Sequence, residues 1–216
     1  MAAIVAPPKP RLRGRIHQVA FFVSLPAGVI LVLLARGPAA TAVAAIYAVS
    51  LTAVFGASAA YHRGRWTERS RRWMKRVDHS LIFVLIAGSY TPVSVLALHG
   101  PWEVVVLSVA WTLAAIGITL KMVRPDGLSI LTATLYMGMG WFALVATPQL
   151  LEGMSTVELI MLASGGLLYT AGAIVFAWRR PDPRPEVFGY HETWHAFMVA
   201  AAACHYAMIL LVLRAA

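Results

Sequence analysis

The chain of 216 residues is 60% hydrophobic and only 12% charged, whereas charged residues make up about a quarter of a soluble domain. This composition excludes an ordinary soluble domain, because so much apolar surface has to face lipid. A disulfide framework is excluded as well, since Cys204 is the only cysteine. The sequence therefore predicts an integral membrane protein.

Seven long stretches of the sequence are apolar and almost free of charge. Each is about as long as a helix needs to cross a hydrocarbon core of roughly 30 Å. The stretches are continuous, whereas the strands of a membrane β-barrel alternate polar and apolar residues. We therefore predict an all-α integral membrane protein, a seven-transmembrane helix bundle. The domain organisation is a basic cytoplasmic tail over 1–15 and a single membrane domain over 16–216, with spans at about 16–35, 37–62, 79–102, 104–120, 127–151, 159–178 and 191–213.

The basic residues lie almost entirely on one side of the predicted spans. Sixteen of the 18 fall in the N-terminal tail or in loops on the same side, and only Arg36 and Arg214 fall on the other. Because short loops rich in Lys and Arg stay in the cytoplasm, we expect a cytoplasmic N-terminus and an extracytoplasmic C-terminus. The basic side is expected to meet anionic lipid headgroups of the inner leaflet rather than nucleic acid.

Polar side chains from several predicted spans reach the same depth, near the cytoplasmic ends of the helices. Ionisable side chains inside a bilayer are costly, so their presence indicates a function. Two pairs are spaced four residues apart, which puts both members on one helix face. The polar residues at this depth are His17, Ser58, His62, Asp78, His79, His191, Glu192 and His195, while His205 lies deeper in the last span.

Two histidines one helical turn apart can form an open tetrahedral zinc site when a third imidazole joins them. His62 together with His191 and His195 fits this pattern, with zinc as the cofactor. Zinc in such a site lowers the pKa of a bound water toward neutrality. Asp78 would then hydrogen-bond the water or a ligating imidazole, and Ser58 would fix the orientation of His62, so both are candidate catalytic residues.

Two other interpretations of these residues stay open. A histidine at a membrane interface is often only an amphipathic anchor, as we expect for His99, so spacing alone does not decide for a metal site. The segment from His191 to His195 also matches H-E-x-x-H, the zinc-protease pattern in which the Glu is a general base. An intramembrane protease would use Asp126 as a third ligand. The order argues against that, because Asp126 precedes the H-E-x-x-H helix instead of following it.

Several short motifs together resemble the hemolysin III branch of the progestin and adipoQ receptor superfamily, which is linked more distantly to alkaline ceramidases. The resemblance covers nearly the whole chain, although each motif is weak alone. In receptor relatives the residue after the first His of the last span need not be acidic, which weakens a general-base role for Glu192. The motifs are Arg13-Gly14-Arg15-Ile16-His17, Ser58-x-x-x-His62, Asp78-His79, Ala87-Gly88-Ser89-Tyr90-Thr91-Pro92, and Phe188-Gly189-Tyr190-His191-Glu192-x-x-His195, followed by His205.

The resemblance implies a seven-helix bundle with zinc held by His62, His191 and His195, and with Asp78 and Ser58 nearby. Two functions are compatible with it. The first is a zinc-dependent hydrolase of lipid amides or esters with its site in the cytoplasmic leaflet, where Asp78 would shuttle the proton. The second is a non-enzymatic, receptor-like regulator or a pore-forming hemolysin in which zinc is structural.

Overall fold

The structure is a computed structural model that describes residues 9–124 and 129–216. Residues 1–8 of the predicted tail and Asp126 lie outside the described residues. In the described ranges the chain is helical, with no strand longer than an isolated bridge. The helices are α1 (Arg15–Leu34), α2 (Gly37–Arg63), α3 (Glu68–Ala97), α4 (Pro101–Val123), α5 (Ser129–Trp141), a 3₁₀ turn (Phe142–Ala146), α6 (Thr147–Gly153), α7 (Thr156–Trp178) and α8 (Tyr190–Ala215).

Seven helical segments in the described chain are long and apolar enough to cross a membrane. Six of them are α1 to α4, α7 and α8, and the fifth crossing combines α5, the 3₁₀ turn and α6 over Ile130–Gly153. Large apolar side chains cover the outer surface of the bundle, as a lipid-facing surface requires. The seven-helix prediction is confirmed. Examples of these outward side chains are Val19, Phe22, Leu33, Ile130 and Leu151.

Helix α3 begins at Glu68, well before the apolar stretch that starts near residue 79. The Thr67 hydroxyl accepts a hydrogen bond from the backbone N–H of Ser70, which is the usual way to start a helix. A hydropathy pattern detects only the apolar part of a helix, so it does not predict the basic first part of α3. The extension makes Asp78 an interior residue of α3, where helix geometry fixes its direction.

The fifth crossing is interrupted, and a side chain from α3 stabilises the break. Pro148 lies in the first turn of α6, and a 3₁₀ turn precedes it. The hydroxyl of Tyr90 donates to the backbone carbonyl of Met139 at 2.7 Å and accepts from the N–H of Ala143 at 2.8 Å. Backbone N–H and C=O groups that lose their helical partners inside a membrane must hydrogen-bond to other parts of the protein. The Tyr90 hydroxyl bonds one such C=O group and one such N–H group.

Helix α8 packs against α7, α1 and α3, so its first turns face several other helices at one end of the bundle. The core at the opposite end of α8 is apolar, with Leu31, Ile209 and Leu213 fully or almost fully buried. The buried polar side chains His17, Ser58, Asp78 and His195 lie on helix segments at the end where α8 begins. These four buried polar side chains therefore lie at the same end of the bundle.

The predicted orientation can be tested by cysteine labelling in a Cys204→Ala background. We expect Arg65→Cys, in the basic loop between α2 and α3, to react with a membrane-impermeant maleimide only from the cytoplasmic side. We expect Ala216→Cys to react only from the outside. Labelling of Ala216→Cys from the cytoplasmic side alone would contradict the orientation.

Candidate metal site

Three histidines come together where the end of α2 meets the start of α8. His62 lies in the last turn of α2, which ends one residue later at Arg63. His191 and His195 lie in the first two turns of α8, four residues apart, so both project from one face of that helix. Three imidazoles from only two helices therefore lie close together.

The three imidazoles form a compact cluster. A ligand atom of His62, His191 and His195 can be chosen so that all three lie within 4.8 Å of one another. The ring centroids are 4.5 to 5.3 Å apart. His195 is buried, and His62 and His191 are partly exposed. The cluster has the composition and the size of a metal site.

One pair of imidazole nitrogens has the spacing of two ligands of a tetrahedral metal ion. The Nε2 atoms of His62 and His191 are 3.3 Å apart. Two nitrogens bound to one tetrahedral zinc at about 2.0–2.1 Å each are separated by about 3.4 Å. The two distances agree, so these side chains can hold a metal ion of that size.

Ser58 and Asp78 are connected to the cluster through His17. The Nδ1 atom of His17 lies 2.8 Å from the Ser58 hydroxyl oxygen, and this hydroxyl lies beside the Asp78 carboxylate. The ring of His17 stacks on the ring of His195, with centroids 3.7 Å apart and planes tilted by 2°. Either member of the His17–Ser58 pair can donate, depending on the tautomer of His17. A continuous chain of contacts thus joins Asp78 to His195.

The close involvement of His17 was not predicted from the sequence, which placed it only at the same depth as the other histidines. His17 is buried at 2% exposure, and its Nε2 atom has no hydrogen-bond partner among the described residues. Its position in the first turn of α1 and its place in the motif that ends at His17 were the available signals. The stacking on His195 depends on how α1 packs against α8, and the sequence of α1 alone does not predict that packing.

Glu192 is held by partners that leave little scope for a role as general base. One carboxylate oxygen pairs with the Arg13 guanidinium, and the other accepts from the backbone N–H of Gly189 at 2.9 Å. Glu192 therefore starts α8 as a capping residue and forms an ion pair at 0% exposure. This arrangement does not support the zinc-protease interpretation, whose third proposed ligand, Asp126, lies outside the described residues.

Basic residues of the N-terminal segment add positive charge beside the cluster. Lys9 donates a hydrogen bond to the backbone carbonyl of His62. Partial burial, together with the positive charge of Arg13, lowers the pKa of Lys9. These contacts place the basic N-terminal segment directly against the end of α2 that carries His62.

Three other histidines stand apart from the cluster. His79 lies 3.9 Å from the Asp78 carboxylate, on the side of α3 that faces a cavity. His99 is exposed in the connection between α3 and α4. His205 is within 3.3 Å of the Leu162 carbonyl and contacts the ring of Tyr169, deeper in the bundle.

A large apolar cavity lies beside the cluster, between α3, α5, α7 and α8. Its volume is about 450 Å³. Trp194 lines the cavity, and its ring also contacts His191 and His195 at centroid distances of 5.1 and 5.0 Å. His79, next to Asp78, is a second lining residue at this end. The apolar part of the wall includes Ile82, Leu85, Ile86, Val93, Met198 and Met208.

Comparison with known proteins identifies the family. The family model described as "Haemolysin-III related" matches residues 5–206. The chain is 32% identical over 197 residues to Hemolysin-3 of Bacillus cereus, which covers 90% of this chain and 87% of that protein. It is 29% identical over 197 residues to the Hemolysin-3 homolog of Bacillus subtilis (strain 168), covering 90% and 89%.

A human protein extends the relationship beyond bacteria. The chain is 30% identical over 172 residues to the monocyte to macrophage differentiation factor of Homo sapiens, covering 74% of this chain and 66% of that protein. That protein is a member of the progestin and adipoQ receptor superfamily, as the sequence motifs implied. The chain therefore belongs to the haemolysin-III related family of multi-pass membrane proteins.

Proposed function

We propose that the protein is a zinc-dependent hydrolase that cleaves an amide or ester bond of a membrane lipid. The observation that carries this proposal is the combination of a three-imidazole cluster with a buried carboxylate beside an apolar cavity. Each part has a separate role in hydrolysis. The cluster would hold the metal, the carboxylate would move protons, and the cavity would take an acyl chain.

Zinc is the metal that the side chains of the cluster favour. The described residues contribute three imidazoles, and three protein ligands are typical of catalytic zinc sites, whereas structural sites usually have four. The one cysteine, Cys204, lies more than two helical turns beyond His195 in α8, so no thiolate belongs to the cluster. When bound there, zinc supplies Lewis-acid chemistry and activates water near neutral pH.

Ser58 and Asp78 have distinct tasks in this proposal. Ser58 is hydrogen-bonded to His17 and lies beside Asp78, so it would hold the direction of the carboxylate. Asp78 is 8% exposed and lies next to His79, which lines the cavity. This location suits a group that takes a proton from water and returns it to the leaving amine or alcohol.

The cavity supports a lipid as the substrate. Ligand pockets have volumes of about 300–1,000 Å³ and mostly apolar walls with few polar groups. The cavity beside α8 has both properties, with about 450 Å³ of space and a predominantly apolar lining. Trp194 contacts the imidazoles from the cavity side, so a lipid carbonyl would approach the metal past this ring.

The basic side of the protein would hold the site at the level of the lipid headgroups. Helix α3 begins with a strongly basic segment that includes Arg69, Arg71 and Arg72, and Trp73 next to it is 48% exposed. Basic residues near a membrane surface attract anionic lipids, and Trp favours the interface. We propose these lipids as partners of the cytoplasmic side.

The names of two relatives refer to hemolysis. The interior of this bundle is nevertheless poorly suited to a pore. The buried histidines of the cluster and Asp78 gather at one end, while Leu31, Leu98 and Leu213 are buried at the other. The described residues offer no comparable set of ionisable side chains along the whole length of the bundle. The hydrolase therefore fits the described side chains better.

Metal analysis tests the cluster. We expect about one zinc per chain in the purified protein, because a single three-imidazole cluster is formed by the described residues. His191→Ala and His195→Ala should lose the zinc, and His62→Ala should bind it at least about tenfold more weakly. The matched control is His99→Ala, which should keep full occupancy. Full zinc in both α8 variants, measured by elemental analysis, would refute the ligand assignment.

The role of Asp78 is tested by comparing turnover with metal content. Asp78→Asn should keep most of the zinc, since Asp78 is not one of the three imidazoles. Loss of a general acid–base group typically costs about 10² to 10⁴-fold in rate. We would reconstitute wild type and Asp78→Asn in liposomes that contain ceramide-like amides and phospholipid esters, and measure released fatty acid.

The outcomes of this assay separate the two functions. Zinc-dependent release by the wild type that collapses in Asp78→Asn supports the hydrolase. Equal rates for wild type and Asp78→Asn would contradict the proton-transfer role. Wild type that carries full zinc but releases no fatty acid from the panel would favour the non-enzymatic regulator.

A further inference from the structure

The segment Lys9–Gly14, which we call the clasp, runs across the ends of the two helices that carry the imidazoles. Its backbone pairs with the chain just before α8. The N–H of Arg11 donates to the carbonyl of Glu186 at 3.0 Å, and the N–H of Leu12 donates to the carbonyl of Val187 at 3.1 Å. The clasp is therefore a bound part of the fold rather than a free tail.

Side chains of the clasp contact both ligand-bearing helices. The Arg13 guanidinium pairs with Glu192, which is the residue after His191 and is fully buried. The Lys9 ammonium donates to the backbone carbonyl of His62. One short segment thus contacts the start of α8 and the end of α2. Breaking a buried ion pair leaves an unpaired charge in the interior, which is costly, so the Arg13 contact resists displacement.

Gly14 places the clasp directly against a proposed metal ligand. Its φ is +78°, a conformation that residues with a Cβ adopt only with strain. A Cβ atom at this position would lie 2.7 Å from the Cβ of His62 and 3.0 Å from the Cγ of Arg63. The backbone of residue 14 therefore sets how far the end of α2 can move toward α1.

The connectivity of the bundle explains why such a device is needed. Helices α2 and α8 make little direct contact, whereas α1 packs extensively on α2 and also on α8. The imidazole of His62 must nevertheless stay within a few ångströms of those on α8. Metal sites tolerate displacements of only about 0.5 Å. Helix α3 likewise packs extensively on α2 and also on α8, so α1 with its N-terminal extension and α3 together set the position of His62 relative to α8.

We propose that Arg13 and Gly14 are the positioning residues of the metal site, with Gly14 setting the place of His62 and Arg13 setting that of the His191–His195 turn. The proposal rests on the metal-dependent function proposed above. It assigns a physical task to the pair Arg13-Gly14, neither of which offers a side chain to the metal. Arg13 and Gly14 would control two properties of the site: its affinity for the metal ion and the arrangement of the ligands around that ion.

The test uses Co²⁺, whose visible absorption reports the number and arrangement of its ligands. We would titrate the purified full-length protein, stripped of metal, with Co²⁺ in detergent. Gly14→Ala should bind Co²⁺ about 10- to 100-fold more weakly than wild type, the range for residues that orient metal ligands. Its spectrum at saturation should also change. The matched control is Gly37→Ala, because Gly37 has φ +81° but no atom within 4 Å of an added Cβ.

A second series tests the ion pair and remains informative if Gly14→Ala does not fold. Arg13→Gln should weaken Co²⁺ binding and alter the spectrum, and Arg13→Lys should restore part of both because it keeps the charge beside Glu192. Arg15→Gln, which removes an exposed guanidinium two residues away, should behave as wild type. A thermal midpoint for each variant separates general destabilisation from a change at the site.

The possible results distinguish this proposal from the one on which it rests. Wild-type Co²⁺ affinity and spectrum in Arg13→Gln, and in Gly14→Ala if it folds, would overturn the positioning role and leave the metal site standing. A wild-type protein that binds no Co²⁺ and no Zn²⁺ would overturn both proposals. Weakened binding in Gly14→Ala with wild-type binding in Gly37→Ala, or weakened binding in Arg13→Gln with rescue in Arg13→Lys, supports the clasp.

Discussion

Polar groups inside a lipid-embedded bundle must be satisfied by other parts of the protein, and this requirement organises one end of the molecule. His17, Ser58 and Asp78 come from α1, α2 and α3, and the His17 imidazole is hydrogen-bonded to the Ser58 hydroxyl beside Asp78. Stacking of His17 on His195 connects this group to α8. A metal ion among the three neighbouring imidazoles would bind next to this group, so the packing of the helices and the proposed chemistry depend on the same contacts.

The cavity beside α8 is bounded mainly by aliphatic and aromatic side chains. Trp194 is a lining residue whose ring contacts both His191 and His195. Electrostatic interactions are strong in such a low-dielectric setting, which favours hydrolytic chemistry on an apolar molecule over conduction of ions. Trp194 would then be the contact through which a bound acyl chain and the imidazoles influence each other.

The spans and the spacing of the three histidines could be predicted because they are local properties of the chain. Continuous apolar stretches define membrane helices, and residues four apart share a helix face wherever the helix lies. The basic first part of α3 was missed since hydropathy ignores it, and the hydroxyl of Tyr90 at the break before α6 depends on a contact between distant helices. The stacking of His17 and the pairing of Arg13 with Glu192 likewise follow from helix packing.

The central claim is that one metal ion is held by imidazoles from α2 and α8. X-ray absorption at the zinc edge of the purified protein measures this most directly, because it reports ligand type and distance without a crystal. The account predicts nitrogen ligands at about 2.0–2.1 Å with the multiple-scattering pattern of about three imidazoles. Zinc bound through sulfur at about 2.3 Å, or through oxygen with no imidazole pattern, would contradict it.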